Sequence, residues 1–305
     1  MGVRKFIDYA IITLKGMAMG AADVVPGVSG GTIAFISGIY EELITSINNI
    51  SFSLITTLRK QGFNAFWKQL NGNFLVALFF GIFISLFSLA TIVSWLLENH
   101  PILLWSFFFG LVTASIFFVG KEIKKWNVAT IFFFILGTGI AFWITKLPPN
   151  ENVESLPYLF LSGALAVCAM ILPGISGAFI LVLLGSYKTI LDSVHERDLV
   201  TVSVVALGAV CGLLSFARLL KWMFKNYRDS TLALLTGFIL GSLNKIWPWK
   251  RILESKKFDE KVITIKEQSI LPQAFEGDSQ LLPAIALAIF GFSLIFILER
   301  AASKK

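Results

Sequence analysis

Apolar residues continue for bilayer-spanning lengths at six places in this chain, about 74–97, 102–120, 128–145, 199–222, 231–247 and 281–298. Crossing a hydrocarbon core of about 30 Å takes about 20 such residues as a helix, and in lipid the segment must pair its own backbone polar groups. These runs constrain the chain to an all-α polytopic membrane protein. Composition agrees, with 15% charged residues against the roughly 25% of soluble chains. The N-terminus lacks a short apolar core followed by a small-residue cleavage site, so no removable signal peptide is expected. The net charge of +7 is dispersed among short loops, which reads as a topology signal and not as a nucleic-acid footprint. Cys168 and Cys211 both lie in apolar runs; they suggest packing, with no disulfide framework and no metal site.

Two stretches break the apolar pattern, and they match each other. A shift of 147 residues pairs Pro26 with Pro173, Gly27 with Gly174, Ser29 with Ser176, Gly30 with Gly177, Gly38 with Gly185 and Tyr40 with Tyr187. Further on a shift of 127 pairs Gly81 with Gly208, Ser88 with Ser215, Trp95 with Trp222, Asn99 with Asn226 and Gly110 with Gly237. The difference of 20 residues marks an insertion in the polar stretch 48–73. The chain therefore reads as a duplication, with a first repeat over 1–145 and a second over 157–300.

Each repeat opens with about 35 residues centred on Pro-Gly-x-Ser-Gly, at 6–40 and 157–191. Two helical arms of about 15 residues would each reach about 22 Å, short of a full crossing, so each stretch is expected to be a re-entrant hairpin. Cytoplasmic loops should be rich in Lys and Arg. With both hairpins re-entrant and the N-terminus inside, those loops carry Arg4 and Lys5; Arg59, Lys60 and Lys68; Lys121, Lys124 and Lys125; Arg218, Lys221, Lys225 and Arg228; and Arg300, Lys304 and Lys305. Each repeat then has three full spans after its hairpin, so the second is inverted relative to the first. The expected outer segment 248–280 holds six basic residues but also six acids, and long segments translocate largely regardless of charge.

Irregular backbone at membrane depth is tolerated where it is buried in protein or lines a wet cavity. Pro26 and Pro173 cannot donate a backbone hydrogen bond, while Gly27, Gly30, Gly31, Gly174 and Gly177 permit tight turns and close approach. Such a turn leaves unpaired N–H groups at a new helix start, which attract anions. Ser29 and Ser176 are placed to cap the second arm or to donate to a bound oxyanion; close helix packing is the alternative use of these glycines. Asp23 is an ionisable group within a membrane segment, a functional candidate by default, and its repeat partner is Met170. It either carries a coupling proton or orients the hairpin by accepting hydrogen bonds from the following turn. Lys15 and Arg218 are the nearest basic candidates to meet a phosphate, unless they snorkel to the interface. Glu41 and Glu42 fit the headgroup region, and His100 and His195 are assigned no chemistry.

The stretches GAADVVPGVSGGTIAFISGIYEELI at 20–44 and LPGISGAFILVLLGSYKTIL at 172–191 resemble the polyprenyl-phosphate transporter family, and the resemblance covers nearly the whole chain. It implies return of undecaprenyl phosphate, an anionic polyprenyl lipid of bacterial cell-wall synthesis, from the outer to the cytoplasmic leaflet of the cell membrane. It implies no cofactor, no catalytic residue and no nucleic-acid partner, and leaves a homodimer open. Two other readings remain. The motif is similar to the Pro-Gly-x-Ser-Arg-Ser turn of undecaprenyl-diphosphate phosphatases, although Gly30 and Gly177 stand where that turn has arginine, and hydrolysis needs charge neutralisation at the phosphoryl group. A transporter of a small soluble anion is the other.

Overall fold

The structure, a computed structural model, describes residues 4–25, 28–150, 153–258 and 261–303. The N-terminal half forms α1 (Phe6–Val24), α2 (Gly30–Ile36), α3 (Tyr40–Asn48), α4 (Phe52–Leu70), α5 (Gly72–Asn99), α6 (Pro101–Lys121) and α7 (Val128–Ile144). The C-terminal half forms α8 (Leu156–Ile171), α9 (Gly177–Leu183), α10 (Tyr187–His195), α11 (Leu199–Asn226), α12 (Arg228–Ser242), an antiparallel pair β1 (Lys250–Phe258) and β2 (Lys261–Ser269), and α13 (Leu281–Ser303). The polar insertion is α4, interrupted at Gly62 where φ is +79°.

Helix starts follow local chemistry. Pro101 opens α6 at a position whose N–H has no helical partner anyway. Asn127 and Thr130 make a reciprocal capping pair at α7, and the Asp198 carboxylate caps α11 by accepting from Val200 and Thr201.

Glycines let the long helices pack in four pairs. On α5, a Cβ at Gly81 would land on the Thr13 carbonyl of α1; on α11, one at Gly208 would land on the Phe160 carbonyl of α8. Thr13 and Phe160 are themselves 147 residues apart. Gly110 of α6 lies against Ala288 of α13, and Gly237 of α12 against Phe134 of α7, so the last helix of each half packs on a helix of the other half. Such small residues bring backbones within reach of dispersion contacts, the main source of helix association in lipid.

The ends of the bundle separate cleanly. At one end, Arg4, ahead of α1, pairs with both oxygens of Glu42 in α3 at 2.7 and 2.6 Å. There too Arg228 of α12 meets Glu41 and Glu122, and Asp229 accepts from the Lys124 and Lys125 N–H groups. At the other end Tyr158 of α8 donates to the Leu184 carbonyl at 2.9 Å, Thr189 of α10 to the Val153 carbonyl at 3.1 Å, and Asn244 to Thr145 at 2.8 Å. The path α1–α3 thus returns to the end where it began, and α8–α10 returns to the opposite end.

Four expectations change. Where a single second arm is expected, α2 is followed by α3 and α9 by α10, because Gly38 and Gly185 adopt φ of +72° and +69°; α9 and α10 meet at 106°. The run 231–247 is helical only to Ser242, after which Leu243 begins a turn. Segment 248–280 contains the β1–β2 pair. Finally, among the described residues three helices, α5, α6 and α11, are long and apolar enough to cross a membrane, or four if α9 and α10 count as one; α7 has 17 residues and α12 has 15, about 25 and 22 Å.

Candidate functional site: the contact between the two glycine turns

Each broken segment buries its Ser-Gly turn inside the protein, and the two turns touch. Ser29, fully buried, donates its hydroxyl to the Met170 and Leu172 carbonyls at 3.2 and 3.1 Å and accepts from the Gly31 N–H at 3.1 Å. The carbonyls that end α8 have no partner on their own helix, and Ser29 supplies one while capping α2. In return the Gly174 N–H donates to Thr32 Oγ1 at 2.8 Å. Gly31 sits so close that an added Cβ would lie 2.5 Å from the Ile171 carbonyl oxygen. Gly174 itself adopts φ +90°, which side chains rarely tolerate.

Asp23 Oδ1 accepts a 2.6 Å hydrogen bond from the Gly30 N–H. This geometry is the second of the two roles read from sequence, an acceptor for the following turn, and it places a carboxylate where the α2 start would attract an anion. At the equivalent place in the second segment, a Cβ on Gly177 would meet the Met170 side chain and the Ala166 carbonyl. Ser176 is buried and makes no side-chain cap. It borders a cavity of about 10 Å³ shared with Gly174, Thr145 and Lys245.

The other predicted residues are more scattered. Lys15 donates to the Ser37 carbonyl at 2.5 Å, at the carbonyl end of α2. Arg218 is exposed on α11, away from the turn contact. Pro26 and Gly27 lie outside the described residues. Sequence reading missed Thr32, Thr145, Lys245 and the Lys250–Glu267 pair. Thr32 had no signal, because its repeat partner is Phe179. Lys245 falls inside the apolar run 231–247, and Lys250 is one of the mixed charges of 248–280.

Comparison with known proteins identifies the family. A family model described as undecaprenyl phosphate translocase-like matches residues 19–262. A polyprenyl-phosphate transporter of Vibrio cholerae serotype O1 is 44% identical over 305 residues, covering 98% of this chain and 99% of the relative. A polyprenyl-phosphate transporter of Staphylococcus aureus is 31% identical over 253 residues, covering 77% and 85%. No solved structure matches the chain.

Proposed function

The chain belongs to the undecaprenyl phosphate translocase-like family, and we propose that it returns undecaprenyl phosphate from the outer to the cytoplasmic leaflet of the bacterial inner membrane. It is a transporter of polyprenyl phosphate. The observation that carries the mechanism is the turn contact: irregular, hydrogen-bonded backbone from both repeats meets in the bundle interior. In this reading the headgroup crosses beside that contact while the isoprenoid tail stays in lipid. Gly30, Gly31, Ser29, Gly174, Ser176 and Gly177 shape the path, together with Pro26 and Gly27. Lys15 and Arg218 guide the phosphate, and Asp23 sets the first turn.

We read the two repeats as inverted and both hairpins as re-entrant, with the termini cytoplasmic. The return of α1–α3 and α8–α10 to opposite ends supports this, as does the equivalence of the glycine contacts in the two halves. A basic-rich end that includes Arg4, Lys124, Lys125 and Arg228 fits the cytoplasmic side. The activity is transport and not hydrolysis. Gly30 and Gly177 supply no guanidinium where the phosphatase turn has its arginine, so this turn lacks the charge that would neutralise a phosphoryl group during hydrolysis.

Leaflet exchange of a fluorescent polyprenyl phosphate in proteoliposomes, with and without a pH gradient, tests the function. Exchange of the lipid phosphate is expected. Uptake of inorganic phosphate alone, or phosphate release from a polyprenyl diphosphate, would replace this reading. Cysteines introduced at Gln61 and Asn150 should label from the cytoplasm and from outside, respectively; the opposite result at either would overturn the re-entrant topology.

A further inference from the structure

At the end of the bundle away from Arg4, two lysines converge on a single carboxylate oxygen. Lys245, in the turn after α12, and Lys250, at the start of β1, donate to Glu267 Oε1 at 2.7 and 2.6 Å. Lys250 also donates to the Lys245 carbonyl. Both ammonium groups lie over aromatic rings, Lys245 over Phe179 at 4.6 Å and Lys250 over Trp105 at 5.5 Å. Their side chains are 20% and 13% exposed. The nearby Lys146 adds further positive charge.

This cluster has one positive charge more than its own carboxylate neutralises, in a setting where water screens poorly. Desolvated charge is costly unless paired. A phosphomonoester carries about −1.5 to −2 charge at pH 7 and would neutralise both lysines, which one carboxylate does not. The location adds a second, independent argument. Lys245 lines the same cavity as Gly174, Ser176 and Thr145, so the cluster opens onto the second turn. That cavity, about 10 Å³, holds about one water, so a phosphate reaches both lysines by taking the place of the carboxylate.

Building on the transport reading above, we propose that Lys245 and Lys250 form the headgroup-receiving site for a phosphomonoester on the outer side, and that Glu267 is its exchangeable internal occupant. Glu267 is carried by β2, whose following residues are tied down by separate contacts. Ser269 donates to Asn244 at 3.1 Å, and Trp247 to the Ile270 carbonyl at 2.8 Å. The side chain of Glu267 can therefore swing away without loss of the strand's anchor. Phosphate arrival and carboxylate release are then one exchange of ion-pair partners, and the incoming phosphate neutralises the charge that Glu267 leaves unpaired.

The test uses the wild-type protein in detergent. Acetylation of individual lysines by an amine-reactive reagent is read by mass spectrometry with farnesyl phosphate, with inorganic phosphate, or with neither. Farnesyl phosphate is expected to protect Lys245 and Lys250 several-fold and to leave Lys124, at the other end, unchanged. Protection by both ligands would assign the site to the phosphate group alone, and protection only by farnesyl phosphate would assign it to a lipid phosphate. Unchanged acetylation of both lysines at a farnesyl phosphate concentration that inhibits exchange in proteoliposomes would overturn the proposal while leaving the transport reading intact. Absence of exchange in proteoliposomes would instead strike the transport reading. As a second arm, Glu267→Gln should tighten farnesyl phosphate binding, and Lys245→Gln should weaken it by about tenfold; equal affinities across wild type and both variants would also overturn it.

Discussion

At position 23 the first broken segment sets a carboxylate against Gly30; 147 residues later the second sets the Met170 side chain against Gly177. The contrast recurs along both segments. Lys15 holds the Ser37 carbonyl in the first, whereas its counterpart Ser162 pairs with Ser186 at 2.7 Å. Arg4 and Glu42 close the first path with an ion pair, while Thr189 and Tyr158 close the second with neutral hydrogen bonds. At these matched positions the first segment uses charged groups where the second uses neutral ones. An ionisable group within a membrane segment is by default a functional candidate. The first turn brings its own anion; the second lies beside an excess of lysine.

The largest expected effect tests how tightly the two turns are joined. Gly31→Ala puts a methyl against backbone carbonyls of Met170 and Ile171, which cannot move without parting the turns, at about 1–3 kcal/mol. Transport should be lost and thermal stability lowered. The counterpart, Ala178, already has a Cβ and is exposed, so Ala178→Gly should cost no more than about 1 kcal/mol and keep transport. Equal behaviour of the two variants would show that the repeats are packed alike and that the comparison fails. Gly30→Leu and Gly177→Leu should both abolish exchange while insertion into the membrane persists. Normal exchange by either would mean that its turn only packs.

Next comes Asp23. Asp23→Ala leaves the Gly30 N–H without its acceptor, which costs about 1–3 kcal/mol, and should remove most transport; Met170→Ala, at the equivalent place, removes no hydrogen bond and should be mild. Asp23→Asn keeps an acceptor oxygen. If the carboxylate only sets the turn, this variant retains much of the rate and the wild-type response to a pH gradient. A rate that no longer responds to the gradient would assign Asp23 the proton as well.

How far this asymmetry could be read from sequence depended on the kind of residue. The matched positions were legible because Gly, Pro and Ser recur at one fixed shift, and the Met170 counterpart of Asp23 followed directly from that alignment. The mutual grip of the turns was not, since Thr32 stands opposite Phe179 and only three-dimensional contact with Gly174 reveals its use. Gly38 and Gly185 matched at the right shift, yet the spacing alone did not distinguish a hairpin arm from two short helices. Lys250 and Glu267 lie in a strand pair whose charges are mixed in sequence, and Lys245 stands five residues ahead of it. The alternation in KVITIKEQS was a strand signal overshadowed by the surrounding helical pattern.

The smallest expected effect is a shift in pH profile that separates the second end from the first. Burial pushes the Lys250 ammonium down to about 8, against the opposing pull of Glu267. Glu267 is lowered despite its own burial, because Lys250 and Lys245 favour its charged form, so it stays ionised through neutral pH and does not contribute to a profile there. A phosphomonoester gains its second charge above about pH 6. Affinity for farnesyl phosphate should therefore rise through pH 6, hold to about 8, and fall as Lys250 loses its proton. By pH 9 about one tenth of Lys250 remains charged, which weakens binding by up to about tenfold. Lys250→Arg keeps its charge throughout this range, so its affinity should stay level between pH 7 and 9 even if it is lower overall. Asp23→Asn, at the other turn, should leave the alkaline fall in place. A wild-type profile in Lys250→Arg, measured by titration calorimetry, would separate Lys250 from the bound phosphate and leave Lys245 alone to distinguish the second turn from the first.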